Sequence, residues 1–216
     1  MMSDTSKKFR RRAEARPDEV LDAALAVFVE KGFAAARVED VAKRAGVSKG
    51  TVYLYFSSKE ALIEGIVRRA VAPIALRALP DLEKFDGDPR MPITMLMMIL
   101  IEQLAQPEKI AVPKLILREV MSFPAIATFY RHEVLDKVIP ALTGLIRRGV
   151  ENGTLRPVDP ELTVRSIVGP LIAHVALGEI FGVKPEGEGL SLDRLVANHL
   201  DILFHGISAA PAEARP

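Results

Sequence analysis

Residues 38–56 read VEDVAKRAGVSKGTVYLYF. Two short helical patterns stand on either side of one glycine, the spacing of a helix-turn-helix. Ala42 is small where two helices must approach closely, and Gly46, four residues on, sits where the turn needs a left-handed backbone. Val41, Val47 and Val52 are placed to share a core. Ser48, Lys49, Gly50, Thr51, Tyr53 and Tyr55 are left on or beside the outer side of the second helix. Hydroxyls and an ammonium reach phosphates, a glycine lets a backbone come close, and a threonine methyl or tyrosine ring can meet a thymine methyl.

Upstream, Pro17-Asp18 opens a helix whose apolar residues are Val20, Leu21, Ala24, Leu25, Val27 and Phe28. Gly32 closes it, with Lys31 at its negative end. Downstream, Ser57 and Glu60 have the spacing of a capping box. They start a longer helix through Ile63, Ile66, Val67 and Ala70, expected to run to about Ala78.

Prolines punctuate the rest. Pro92 leads into an apolar helix ending near Gln106, and Pro107 and Pro124 suit first-turn positions. Pro113, Pro140 and Pro170 lie inside helical patterns and are expected to kink them. Asn152-Gly153 stops a helix; Asp159-Pro160-Glu161 starts one that runs to about Phe181. Ser191 caps a last helix ending near Ile207. The fold class is therefore all-α with about nine helices: a three-helix helix-turn-helix domain, then a larger helical domain. The expected boundaries are a disordered basic arm at 1–16, the DNA-binding domain at 17–65, the larger domain at 66–207 and a flexible tail at 208–216.

With 216 residues the chain can bury a sizeable core. It has no cysteine, which excludes disulfides, thiolate metal sites and a cysteine nucleophile. Its most apolar run, Met95–Ile101, is too short to span a membrane, where about 20 residues are needed. The basic N-terminus lacks the apolar stretch of a secretory signal, so a cytoplasmic location is expected. Net charge is only +1, yet residues 1–56 hold 11 Lys/Arg against 8 Asp/Glu. Lys7 to Arg16 carries six of those cations, an arm that could follow phosphates or enter a minor groove.

An enzyme is a poor reading. His132, His174, His199 and His205 have no trustworthy metal-ligand spacing with one another or with a carboxylate. There is no GxSxG and no phosphate-binding glycine loop. No catalytic residue, metal or cofactor is expected.

Gly32-Phe33, residues 38–42, 45–51 and 53–56, and Ser58-Lys59-Glu60 together closely resemble the DNA-binding domain of the TetR (tetracycline-repressor) family of transcriptional regulators. The likeness covers about residues 18–65; beyond it only the layout is similar. It implies that Ser48, Lys49, Gly50 and Thr51 open a recognition helix, that Tyr53 and Tyr55 contact backbone or bases, and that Lys59 reaches a phosphate. The family has Ser or Thr where Arg37 stands. Arg37 cannot accept the capping N–H bonds, a loss of about 1 kcal/mol, but its guanidinium can bind phosphate. The resemblance further implies a double-stranded DNA operator, a homodimer through the last two long helices, and a small-molecule inducer. Gly169, Ala173, Ala176 and Gly178 are small enough for close helix pairing. The methionine-rich stretch 91–146 suits an adaptable apolar cavity, with Met98, Phe123 and Phe129 as candidate contacts for an apolar or amphipathic ligand. The rival reading is a helical ligand- or partner-binding protein whose DNA module is vestigial.

Overall fold

Ten α-helices have both ends within the described residues: α1 (Asp4–Ala35), α2 (Val38–Ala45), α3 (Lys49–Tyr55), α4 (Lys59–Ala70), α5 (Arg90–Ala105), α6 (Pro107–Glu119), α7 (Pro124–Tyr130), α8 (Asp136–Glu151), α9 (Pro160–Phe181) and α10 (Leu192–Ile207). The computed structural model describes residues 4–71, 79–182 and 192–207, with backbone only at 4–16, 107, 108 and 179. The expected tail at 208–216, the Ser191 cap and the extension of α4 to Ala78 lie outside the described residues. Where one helix was expected after Pro124, a π-helical turn, Arg131–Leu135, separates α7 from α8. It leads into the first turn of α8, where Pro140 lacks the N–H that would bond the Asp136 carbonyl.

Helix α1 begins at Asp4, ahead of the start expected at Pro17. Residues 4–16 contain no glycine or proline and are rich in Lys, Arg and Ala, good helix formers. Pro17 removes one backbone hydrogen bond without ending the helix. The break comes at Gly32, with φ 76° and ψ 156°, which a residue with a side chain rarely adopts.

The chain divides into two compact units, Met1–Ala70 with Leu115–Tyr130, and Val71–Lys114 with Arg131–Pro216. In the first, Val20, Leu21, Ala24, Val27 and Phe28 of α1 are buried, as are Val41 and Ala42 of α2, Val52 of α3, and Leu62, Ile63, Ile66 and Val67 of α4. Val47, expected in that core, is only half-buried. Gly65 brings α4 tight against its neighbours: a Cβ there would lie 2.9 Å from Leu21 Cδ2 and 2.9 Å from Phe56 Cε1. The segment from Leu115 adds a buried Glu119, whose Oε1 accepts the Phe33 N–H at 3.2 Å just past the Gly32 break. Arg118 donates to the Phe28 carbonyl at 2.9 Å. Both hold the end of α1.

The second unit packs Ile93, Met97 and Ile101 of α5 with Leu142, Leu145 and Ile146 of α8. Val164, Ile167 and Leu171 of α9 and Val196, Leu203 and Ile207 of α10 complete this core. Asp159 caps α9 through Oδ1, accepting from Glu161 N–H at 2.9 Å and Leu162 N–H at 3.0 Å, with Pro160 at the first position. No described helix is long and apolar enough to cross a membrane.

Candidate nucleic-acid interface

Helix α2 sets the geometry. Its N-cap, Arg37, is extended (φ −117°, ψ 151°) and donates its backbone N–H to Asp40 Oδ2 at 3.1 Å. That is half of a capping box. The other half is missing because a guanidinium has no acceptor to offer the first-turn amides. Asp40 also pairs with Lys31 at 2.8 Å; the Lys31 ammonium and the Arg37 amide hold its carboxyl below the ordinary value. Arg37→Thr would restore the acceptor. Urea unfolding should then show the variant more stable by about 1 kcal/mol.

Gly46 ends α2 in the left-handed region, φ 67° and ψ 30°, as its position in the sequence requires. Two residues later Ser48 caps α3: its Oγ accepts the Thr51 N–H at 3.0 Å and lies 2.8 Å from Thr51 Oγ1. Val52 faces inward. The opposite side carries Ser48, Lys49, Gly50 and Tyr53, all exposed, with Thr51 and Tyr55 half-buried at its margins. A methyl on Gly50 would meet only Ser48 Oγ, at 3.7 Å. Packing within the chain therefore does not demand glycine there; a flat face does.

Two residues of this face were not singled out from the sequence. Leu54 is 77% exposed on α3, a large apolar side chain with no place in the core. Glu39, in the first turn of α2, forms a short ion pair with Lys49. The Lys49 ammonium also stands 5.6 Å from the Tyr53 ring centroid. Hydrogen bonding to Lys49 holds the Glu39 carboxyl below its ordinary value, and the same contact raises the Lys49 ammonium. The nearness of α2 and α3 that creates the pair is tertiary, which is why spacing alone did not reveal it.

Lys59, expected at a phosphate, has partners within the chain. Its Nζ donates to the carbonyls of Phe33 at 2.6 Å, Ala34 at 3.2 Å and Ala36 at 3.2 Å, and lies 4.5 Å from the Phe33 ring centroid. An ammonium has three protons, and all three have acceptors within the chain. Lys59 thus serves the negative end of α1. Lys59→Met should destabilise the protein by about 1.5–3 kcal/mol, since charged donors are lost from three carbonyls. The salt dependence of DNA binding should stay unchanged, whereas loss of a phosphate contact would make it shallower by about one unit of slope.

The ligand candidates fall in different units. Phe123, half-buried in the first unit, packs edge-on against Phe33 with centroids 4.8 Å apart. Phe129, also there, carries the Arg68 guanidinium over its ring at 4.9 Å. Met98 belongs to the second unit and is exposed on α5, as are Met91 and Met95. No group of three His, Cys, Asp or Glu among the described residues could hold a metal ion.

The first unit thus presents hydroxyls, an ammonium, a phenol and an apolar side chain on one short helix, the chemistry of a major-groove reader. A family model described as "Bacterial regulatory proteins, tetR family" matches residues 20–66, and one described as "Tetracyclin repressor-like, C-terminal domain" matches residues 79–180. The chain is 30% identical over 174 residues to the uncharacterized HTH-type transcriptional regulator YdeS of Bacillus subtilis, covering 80% of this chain and 84% of that one. It is 26% identical over 209 residues to the HTH-type transcriptional repressor KstR2 of Rhodococcus jostii, covering 95% of each. Among solved structures it is similar to the fatty acid degradation regulator FadR of Bacillus halodurans, with TM-score 0.72 and 26% identity over 88% of this chain and 95% of that one. For two further relatives the match spans only 36% and 29% of their own length.

Proposed function

The chain belongs to the tetR family of bacterial regulatory proteins, and from that premise we propose that it is a cytoplasmic transcriptional repressor. In this reading it binds a palindromic operator as a dimer and is released by a small apolar or amphipathic inducer. The observation that carries the proposal is the outer face of α3, where Ser48, Lys49, Gly50, Tyr53 and Leu54 are exposed and unclaimed by the core. Arg37, Thr51 and Tyr55 flank that face, with Arg37 as a phosphate ligand.

Pairing through α9 and α10 is supported by their exposed apolar side chains, among them Leu162, Ile172, Ile180 and Phe181 on α9 and Ile202 on α10. Exposed groups of this size on two neighbouring helices are costly without a partner surface. Among the described residues, a Cβ at Gly169 or Gly206 would meet nothing within 4 Å, so packing among them does not explain either glycine. Two copies held in this way would present their α3 helices to half-sites about one helical turn apart, or a multiple of it.

Relatives that regulate fatty acid degradation or are named as the KstR2 repressor make an acyl-chain or other lipid-like molecule the first inducer class to test. In the second unit, the buried Thr143 Oγ1 has no hydrogen-bond partner among the described residues. A buried hydroxyl left unpaired is costly, and the polar end of an amphipathic ligand would satisfy it. Met98, with its soft and adaptable side chain, remains a candidate for the apolar part. The inducer acts by preferring the state in which the recognition helices are mis-spaced, and it lowers DNA affinity by its differential affinity for the two states.

Selection of bound fragments from the host genome, without inducer, tests the reading. Palindromic sites with the half-site spacing above should be enriched upstream of genes. Enrichment of no fragment would favour the rival, a ligand-binding protein with a vestigial DNA module.

A further inference from the structure

On the DNA-binding reading, we infer that Glu39 is a specificity-determining residue: it selects cytosine in the operator and withholds Lys49 from phosphates on other sequences. Glu39 is exposed in the first turn of α2, and its carboxylate pairs with Lys49 at the first position of α3. The pair fixes a negative charge beside the helix end whose first residues face base edges in helix-turn-helix complexes. The charged groups acting on it are Lys49 and, two residues before it at the N-cap, Arg37; the Tyr53 ring lies 5.6 Å from the ammonium.

A carboxylate on this face opposes the phosphate backbone unless it finds a donor. In the major groove the base donors are the amino groups of cytosine and adenine. Adenine sets its own N7 acceptor beside that amino group and so repels a carboxylate, while cytosine has only a C–H on the corresponding side of its amino group. On a mismatched sequence Glu39 keeps Lys49, and the pair offers the phosphates no net positive charge. At a correctly placed cytosine, the N4 amino group donates to Glu39, and Lys49 is released to a phosphate. Backbone affinity thereby becomes conditional on base identity.

The test compares wild type and Glu39→Gln on two duplexes of equal length, one selected by the wild-type protein and one of mixed sequence. Glu30→Gln, which removes the carboxylate paired with Arg44 at 2.8 Å on the same unit, matches the charge change. Glu39→Gln should bind the mixed duplex about 3- to 10-fold more tightly, with a salt slope steeper by about one. Its affinity for the selected duplex should fall about tenfold. In a fresh selection, the preference at one position of each half-site should move from cytosine toward adenine, the base that an amide side chain reads. Equal factors on both duplexes, matched by Glu30→Gln and with base preference unchanged, would overturn the inference. A wild-type protein that binds neither duplex would overturn the DNA-binding reading itself, and this inference with it.

Discussion

Phe33→Ala lowers the stability of the first unit by about 3–5 kcal/mol, the range for a fully buried aromatic cut back to alanine. Phe33 is 1% exposed and joins three parts of that unit. Its ring packs edge-on against Phe28, with centroids 5.2 Å apart, and against Phe123 at 4.8 Å. The Lys59 ammonium stands over it at 4.5 Å, and its N–H is held by Glu119. Truncation removes both aromatic pairs and the cation's surface, and leaves a cavity between chain segments that cannot easily close over it. Domains of this size are stable by about 5–15 kcal/mol in all, so the first unit should be largely unfolded at modest urea and DNA binding lost with it. Urea titration followed by circular dichroism checks this, and Phe33→Leu should fall between parent and alanine variant. An alanine variant as stable as the parent would show that Phe33 is not the joint described.

Replacing Lys49 and Tyr53 together by alanine has the opposite profile. Both are exposed on α3, Tyr53 at 44%. Neither is part of the core, so the melting temperature should stay where it is. Affinity for the operator should fall about 100-fold, from loss of a phosphate ligand and of a base or sugar contact of ~1–3 kcal/mol at the ring. The salt slope should become shallower by about one, the mark of one phosphate contact removed. Unchanged affinity at unchanged stability would take the interface away from α3. The two variants separate the fold that carries the face from the face itself.

What could be read in the sequence follows the range of each interaction. The turn at Gly46 and the inward valines at 41 and 52 depend on residues within one or two turns, and all stand where the spacing put them. The Asp159-Pro160 start of α9 is equally local. Lys59 was not legible in this way. Its three acceptors lie 23 to 26 residues upstream and become available only because Gly32 breaks α1 beneath α4. Glu119 reaches Phe33 across 86 residues, a contact that no periodicity announces. Phe123 stood out as an aromatic residue in a methionine-rich stretch, and composition could not distinguish a ligand contact from a packed ring. Leu54 lies within the motif, yet only the exposure of its side chain marks it as part of the working face.

The claim on which the account turns is that α3 binds DNA through charge and base contacts together. Titration of a duplex selected by the protein, from about 50 mM to about 200 mM salt, tests it most directly. A dimer that neutralises about 6–10 phosphates should lose about 10³–10⁵ in affinity over that range. An affinity that changes less than about tenfold would mean that the phosphate contacts are absent, and with them the interface described for Ser48 to Tyr55.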